Sequence, residues 1–76
     1  MVKFNISLNS STHAKDFVNA VCKYSYDIDL TSGRYVVDAK SIMGIFSLDL
    51  SKPICVEAHT DDASDLIADV KAYIVD

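Results

Sequence analysis

Ser41 is the residue whose type and setting best suit a chemical modification. Lys40 precedes it, and Ile42, Met43, Ile45, Phe46 and Leu48 follow within seven positions. A serine before such a run is a helix-capping residue, with its hydroxyl at the positive end of the helix dipole. A phosphate esterified there would be stabilised by that dipole and by free backbone N–H groups, with Lys40 placed to help. Two or three of the apolar residues satisfy the core side of so short a helix. The others form a small sticky patch, with the adaptable thioether of Met43 the leading candidate for a partner contact. Serine and patch together read as a docking surface with a modifiable switch.

Other chemistry-bearing residues are scattered. Cys22 and Cys55 do not form a CxxC pair, and two cysteines with two separated histidines do not assemble a metal site. They read as reduced thiols, Cys22 in the core. His13 falls in the first turn of a helix and reads as solvent-exposed. His59 is an ordinary surface residue at a strand edge. Asp27 and Asp29 share a strand face but lack a third ligand for a metal. Asp61, Asp62, Asp65 and Asp69 read as a solvated helix face, and Tyr24, Tyr26, Tyr35 and Tyr73 as packing. No nucleophile–base pair emerges, so independent catalysis is not expected and no cofactor is implied.

The scaffold that positions Ser41 follows from hydropathy. The chain has 76 residues, half of them hydrophobic, and a net charge of −4. That suffices for one domain, residues 1–76, burying about 60% of its unfolded surface. No basic cluster suggests direct nucleic-acid binding. No apolar stretch approaches the roughly 20 residues of a bilayer span, and no signal-peptide pattern is visible, so the expectation is a cytoplasmic protein without membrane insertion.

Val2, Phe4, Ile6 and Leu8 alternate with polar residues and predict a half-buried strand. Ala14, Phe17, Val18, Val21 and Cys22 form the stripe of an amphipathic helix of about 12 residues. Tyr26, Ile28 and Leu30 predict a second strand and Tyr35 to Asp38 a third, joined by a turn at Thr31–Arg34 in which Gly33 supplies a positive φ. The short helix runs from Ser41 to about Leu48. Pro53 opens a fourth strand, with Ile54, Val56 and Ala58 on one face. The last helix is capped by Thr60 or Asp62 and carries Ala63, Leu66, Ile67, Val70, Tyr73 and Ile74 on its apolar side. The order β-α-β-β-α-β-α predicts an α+β fold. It is an open-faced β-sandwich, a four-stranded antiparallel sheet covered on one face by three helices. A ferredoxin-like arrangement has nearly the same element order.

The stretch Val37-Asp38-Ala39-Lys40-Ser41-Ile42-Met43-Gly44-Ile45-Phe46-Ser47-Leu48 resembles the serine-site region of the histidine-containing phosphocarrier (HPr) family of the sugar phosphotransferase system. The ungapped spacing from Phe17 to Ser41 and the whole element order are similar too. Family members carry a phosphorylatable histidine in a Gly-x-His-x-Arg-Pro stretch at the start of the first helix. Counted back from Phe17, Ser10 occupies the phosphohistidine position, Thr12 the arginine, His13 the proline and Leu8 the glycine. A phosphoserine ester is not a high-energy donor as a phosphoimidazole is, so an ordinary phosphate shuttle is not expected.

The resemblance implies that Ser41 is the regulatory phosphoserine, modified by an ATP-dependent serine kinase and then read by a transcription regulator. Lys40, Ile42 and Met43 would be the partner-binding residues. It points to a regulatory or binding module related to the phosphotransferase system, akin to the histidine-lacking members in carbon catabolite control. Two alternatives stand beside it. One is a phosphocarrier that uses His13 as a displaced phosphoacceptor, with Lys15 as the nearby cation. The other is a degenerate HPr-like interaction protein.

Overall fold

A computed structural model of the chain describes residues 1–75. The elements are β1 (Val2–Ile6), α1 (Ser11–Val21), β2 (Ile28–Ser32), β3 (Tyr35–Asp38), α2 (Ile42–Phe46), β4 (Ile54–Ala58), α3 (Ser64–Asp69), a 3₁₀ turn (Lys71–Tyr73) and β5 (Ile74–Val75). The sheet runs β3-β2-β4-β1-β5, and every neighbouring pair is antiparallel. The predicted α+β sandwich is therefore the observed one.

Alternation sets the two faces of the sheet, because successive side chains on a strand point to opposite sides. Ile6, Ile28, Leu30, Ile54, Val56 and Ala58 are buried in the same core as Ala14, Phe17 and Val21 of α1, Ile45 of α2, and Leu66 and Val70 around α3. Lys3, Asn5, Asp29, Thr31, Cys55 and Glu57 alternate with them on the other face. In register across the strands, Asp29 lies opposite Glu57, which lies opposite Lys3. The hairpin between β2 and β3 turns at Gly33, whose φ of 60° a side chain would strain.

The sheet has five strands where four were expected, and the last helix is shorter than its apolar spacing suggested. α3 stops at Asp69, and Ile74 belongs to β5. The reason is tertiary. The Ser7 amide donates to the Tyr73 carbonyl at 2.8 Å, and Ile74 and Val75 pair with Ile6 and Asn5. The free edge of β1 thus captures β-branched residues that favour strand. Tyr73 and Ile74 still pack on the core, so their apolar character was read correctly while their conformation was not.

Smaller departures have equally local causes. Tyr26 precedes β2 rather than opening it. Cys22 is exposed, not buried, because Val21 takes the last core position of α1 and Cys22 is already the C-cap. Ala63 holds the cap position of α3, and the Asp62 carboxylate accepts from the Ser64 amide at 2.9 Å. That bond holds the Asp62 carboxyl below its usual range. At the other end of α3 the Tyr24 hydroxyl donates to Asp69, with Lys23 at 3.5 Å from the same carboxylate. This bond pushes the Tyr24 hydroxyl up to about 12 and holds Asp69 down.

Candidate functional site

Two helix starts carry the residues singled out by sequence. α1 begins at Ser10, which has extended backbone and accepts from the His13 amide at 3.2 Å through its hydroxyl. Its carbonyl accepts from Ala14 at 3.1 Å, so Ser10 is a conventional N-cap with its side chain exposed. Thr12 is exposed, and Leu8 is fully buried in the core.

His13 departs from the expected solvent-exposed position. It is half-buried, with its ring 5.5 Å from that of Tyr73. Its Nδ1 is buried and has no hydrogen-bond partner. The 3₁₀ turn before β5 brings Tyr73 onto α1, a long-range contact that helix spacing does not reveal. A nitrogen closed off in this way is poorly placed to attack a phosphoryl group, which leaves Nε2 as the ring's accessible nucleophile.

α2 begins at Ser41, whose Oγ accepts from the Gly44 amide at 3.2 Å. The Ser41 carbonyl accepts from Ile45 at 3.1 Å. Only Ile45 of the helix is fully buried. A Cβ on Gly44 would stand 3.2 Å from the Val37 Cβ, so this glycine lets the helix lie close on β3. The result leaves Met43 79% exposed and Phe46 44% exposed, while Ile42 is half-buried. The expected division of the run into core side and surface patch is therefore present.

Lys40 does not point to Ser41 as expected. Its Nζ donates to the Tyr24 carbonyl at 2.6 Å and to the Tyr26 carbonyl at 3.0 Å. A long side chain reaches the loop between α1 and β2, whose carbonyls have no ladder partner. Lys40 is thus a clamp on that loop. Lys40→Met should leave both carbonyls without their cationic donor and cost about 1–3 kcal/mol. Urea unfolding measures this, and a loss below about 0.5 kcal/mol would contradict the clamp.

Residues not anticipated by sequence complete the surface. Lys15, Val18 and Asn19 of α1 line a shallow cleft of about 290 Å³ with Ile42 of α2. Their i, i+3, i+4 spacing marks them as one flank of α1, which was the available signal. The two helices therefore present one continuous surface at their adjoining faces. His59 lies elsewhere, its Nε2 2.8 Å from the Asp29 carboxylate on the open side of the sheet. Asp27 lies outside β2, and its carbonyl accepts from the His59 amide at 2.9 Å. Among the described residues no group of three His, Cys, Asp or Glu side chains is arranged to hold a metal. No described helix is long and apolar enough to cross a membrane.

Fold and site define a small α+β protein with an exposed apolar surface where α1 and α2 adjoin. A sequence model described as the PTS HPr component phosphorylation site matches residues 6–76. HPr-C-His from Thermoanaerobacter tengcongensis is 29% identical, with a TM-score of 0.79 over 95% of this chain and 89% of that one. The phosphocarrier protein HPr of Bacillus anthracis is 25% identical, with a TM-score of 0.72 over 97% and 96%. Crh of Bacillus subtilis, a catabolite-repression protein described as a domain-swapped dimer, is 25% identical, with a TM-score of 0.66 over 93% and 88%. The chain belongs to the HPr family, the phosphocarriers of the sugar phosphotransferase system and their Crh-like relatives.

Proposed function

We propose that this chain is a regulatory binding module of the HPr family that does not carry phosphate on a histidine. Ser10 stands at the family's phosphohistidine position, and a serine ester lacks the transfer potential of a phosphoimidazole. Ser41 is the phosphoacceptor, modified by an ATP-dependent serine kinase in the cytoplasm. The modified form is then read by a transcription regulator or by other proteins of the phosphotransferase system. Ile42 and Met43 are the partner contacts. Lys40, engaged with the loop before β2, acts by holding that surface in place.

The observation that carries this reading is Met43, 79% exposed two positions after the capping Ser41. An apolar side chain this exposed on a five-residue helix contributes little to the core and is free to meet a partner. The buried, unpartnered Nδ1 of His13 leaves only Nε2 of that ring for a displaced carrier site.

The test is incubation with ATP and the family's serine kinase, followed by intact-mass and peptide analysis. One phosphoryl group is expected, on Ser41, and none on Ser41→Ala. Absence of modification on a folded sample, while an HPr control is labelled, would overturn the assignment.

A further inference from the structure

We propose that the cleft between the β2–β3 hairpin and the segment following α2 binds a small phosphate ester that carries hydroxyl groups. The cleft measures about 510 Å³ and lies at the opposite end of α2 from Ser41. That volume falls within the roughly 300–1,000 Å³ typical of small-molecule sites. The inference does not rest on the reading of Ser41.

Its lining combines two cations with hydroxyl-binding groups. Arg34, the chain's single arginine, stands on one wall and Lys52 on the other. Three of the five other cationic side chains are engaged, while Lys15 and Lys71 stand apart from this cleft. Lys3 faces Glu57, Lys23 faces Asp69, and Lys40 is bound to carbonyls. Among the described residues neither Arg34 nor Lys52 forms an ion pair. A chain with net charge −4 thus places two cations around one concavity, Arg34 without an acidic partner and Lys52 near enough to Asp49 to help hold that carboxyl down. A guanidinium fork and an ammonium suit a phosphate dianion, the first by paired hydrogen bonds and the second as a point charge.

A bare anion does not account for the rest of the lining. Asp49 also borders the cleft, and hydrogen bonds from the Ser51 side chain and amide hold its carboxyl below the usual range. An ionised carboxylate repels an anion but accepts hydrogen bonds from hydroxyl groups. Ser32 adds a hydroxyl, and Tyr35, 71% exposed, offers its ring as a wall for carbon. The chemistry that satisfies all of these is a phosphate at one end and a hydroxylated carbon body at the other.

The test is a ¹⁵N-HSQC titration of the intact chain with glycerol 3-phosphate, and separately with inorganic phosphate and with glycerol. Saturable shifts are expected at Ser32–Tyr35 and Asp49–Lys52 with glycerol 3-phosphate. Inorganic phosphate should bind more weakly and glycerol undetectably. Arg34→Gln, at an exposed position, should weaken binding about tenfold by removing charge-assisted bonds. Lys71→Gln, exposed and outside the cleft, should leave it unchanged. Shifts that never saturate, that map to α1 instead, or that persist undiminished in Arg34→Gln would overturn the proposal. Equal affinity for inorganic phosphate and the ester would overturn the hydroxyl component.

Discussion

Phe17→Ala is expected to remove about 3–5 kcal/mol of folding stability. Phe17 is fully buried and is the largest such side chain in the core. It meets Tyr73 edge-on, with ring centroids 6.3 Å apart and planes at 81°. Truncation therefore loses transfer energy, leaves a cavity and removes an aromatic contact. At roughly 0.05–0.15 kcal/mol per residue, a chain of this length holds about 4–11 kcal/mol in total. The variant should unfold at a much lower urea concentration, with part of the population unfolded in water. Phe46→Ala supplies the contrast. Its ring is 44% exposed on α2, and its loss should cost about 1 kcal/mol or less. Equal losses at the two positions would contradict the division between a core phenylalanine and a surface one.

Ser10→His combined with Thr12→Arg should turn the chain into a phosphoacceptor. Ser10 is exposed at the start of an 11-residue helix, where backbone N–H groups and the dipole favour an anion. An imidazole there would sit where the family carries its histidine, and an arginine two residues on would contribute charge-assisted bonds to the phosphate. Replacing the cap costs about 1 kcal/mol, which the remaining core tolerates. Leu8 is left in place, because it is fully buried and glycine there would open the core. Stoichiometric labelling by phosphoenolpyruvate and the general phosphotransferase is expected for the pair. Ser10→His alone should label about tenfold more slowly. A folded double variant that takes no phosphate would mean that the missing imidazole is not what silences the native chain.

What was legible in sequence follows from the range of each signal. Period-2 alternation placed Ile54, Val56 and Ala58 on the core side, and 3–4 spacing placed Ala14, Phe17 and Val21 there. The capping Ser41 located the start of α2 within a residue. These are local rules acting on neighbours. The failures required knowledge of distant groups. Whether Tyr73 and Ile74 continued a helix depended on the open edge of β1. The surroundings of His13 depended on Tyr73, and the destination of the Lys40 ammonium on the carbonyls of Tyr24 and Tyr26. Of the candidate surface, Ser41, Ile42 and Met43 could be named in advance. Lys15, Val18 and Asn19 could not, because their role depends on how α1 lies beside α2.

The most direct measurement is the intact mass of the native chain after incubation with phosphoenolpyruvate and the family's general phosphotransferase, beside a histidine-bearing HPr. The native chain should remain unmodified while the control gains one acid-labile phosphoryl group. An acid-labile phosphate on the native chain, mapped to His13 or to any other imidazole, would contradict the account.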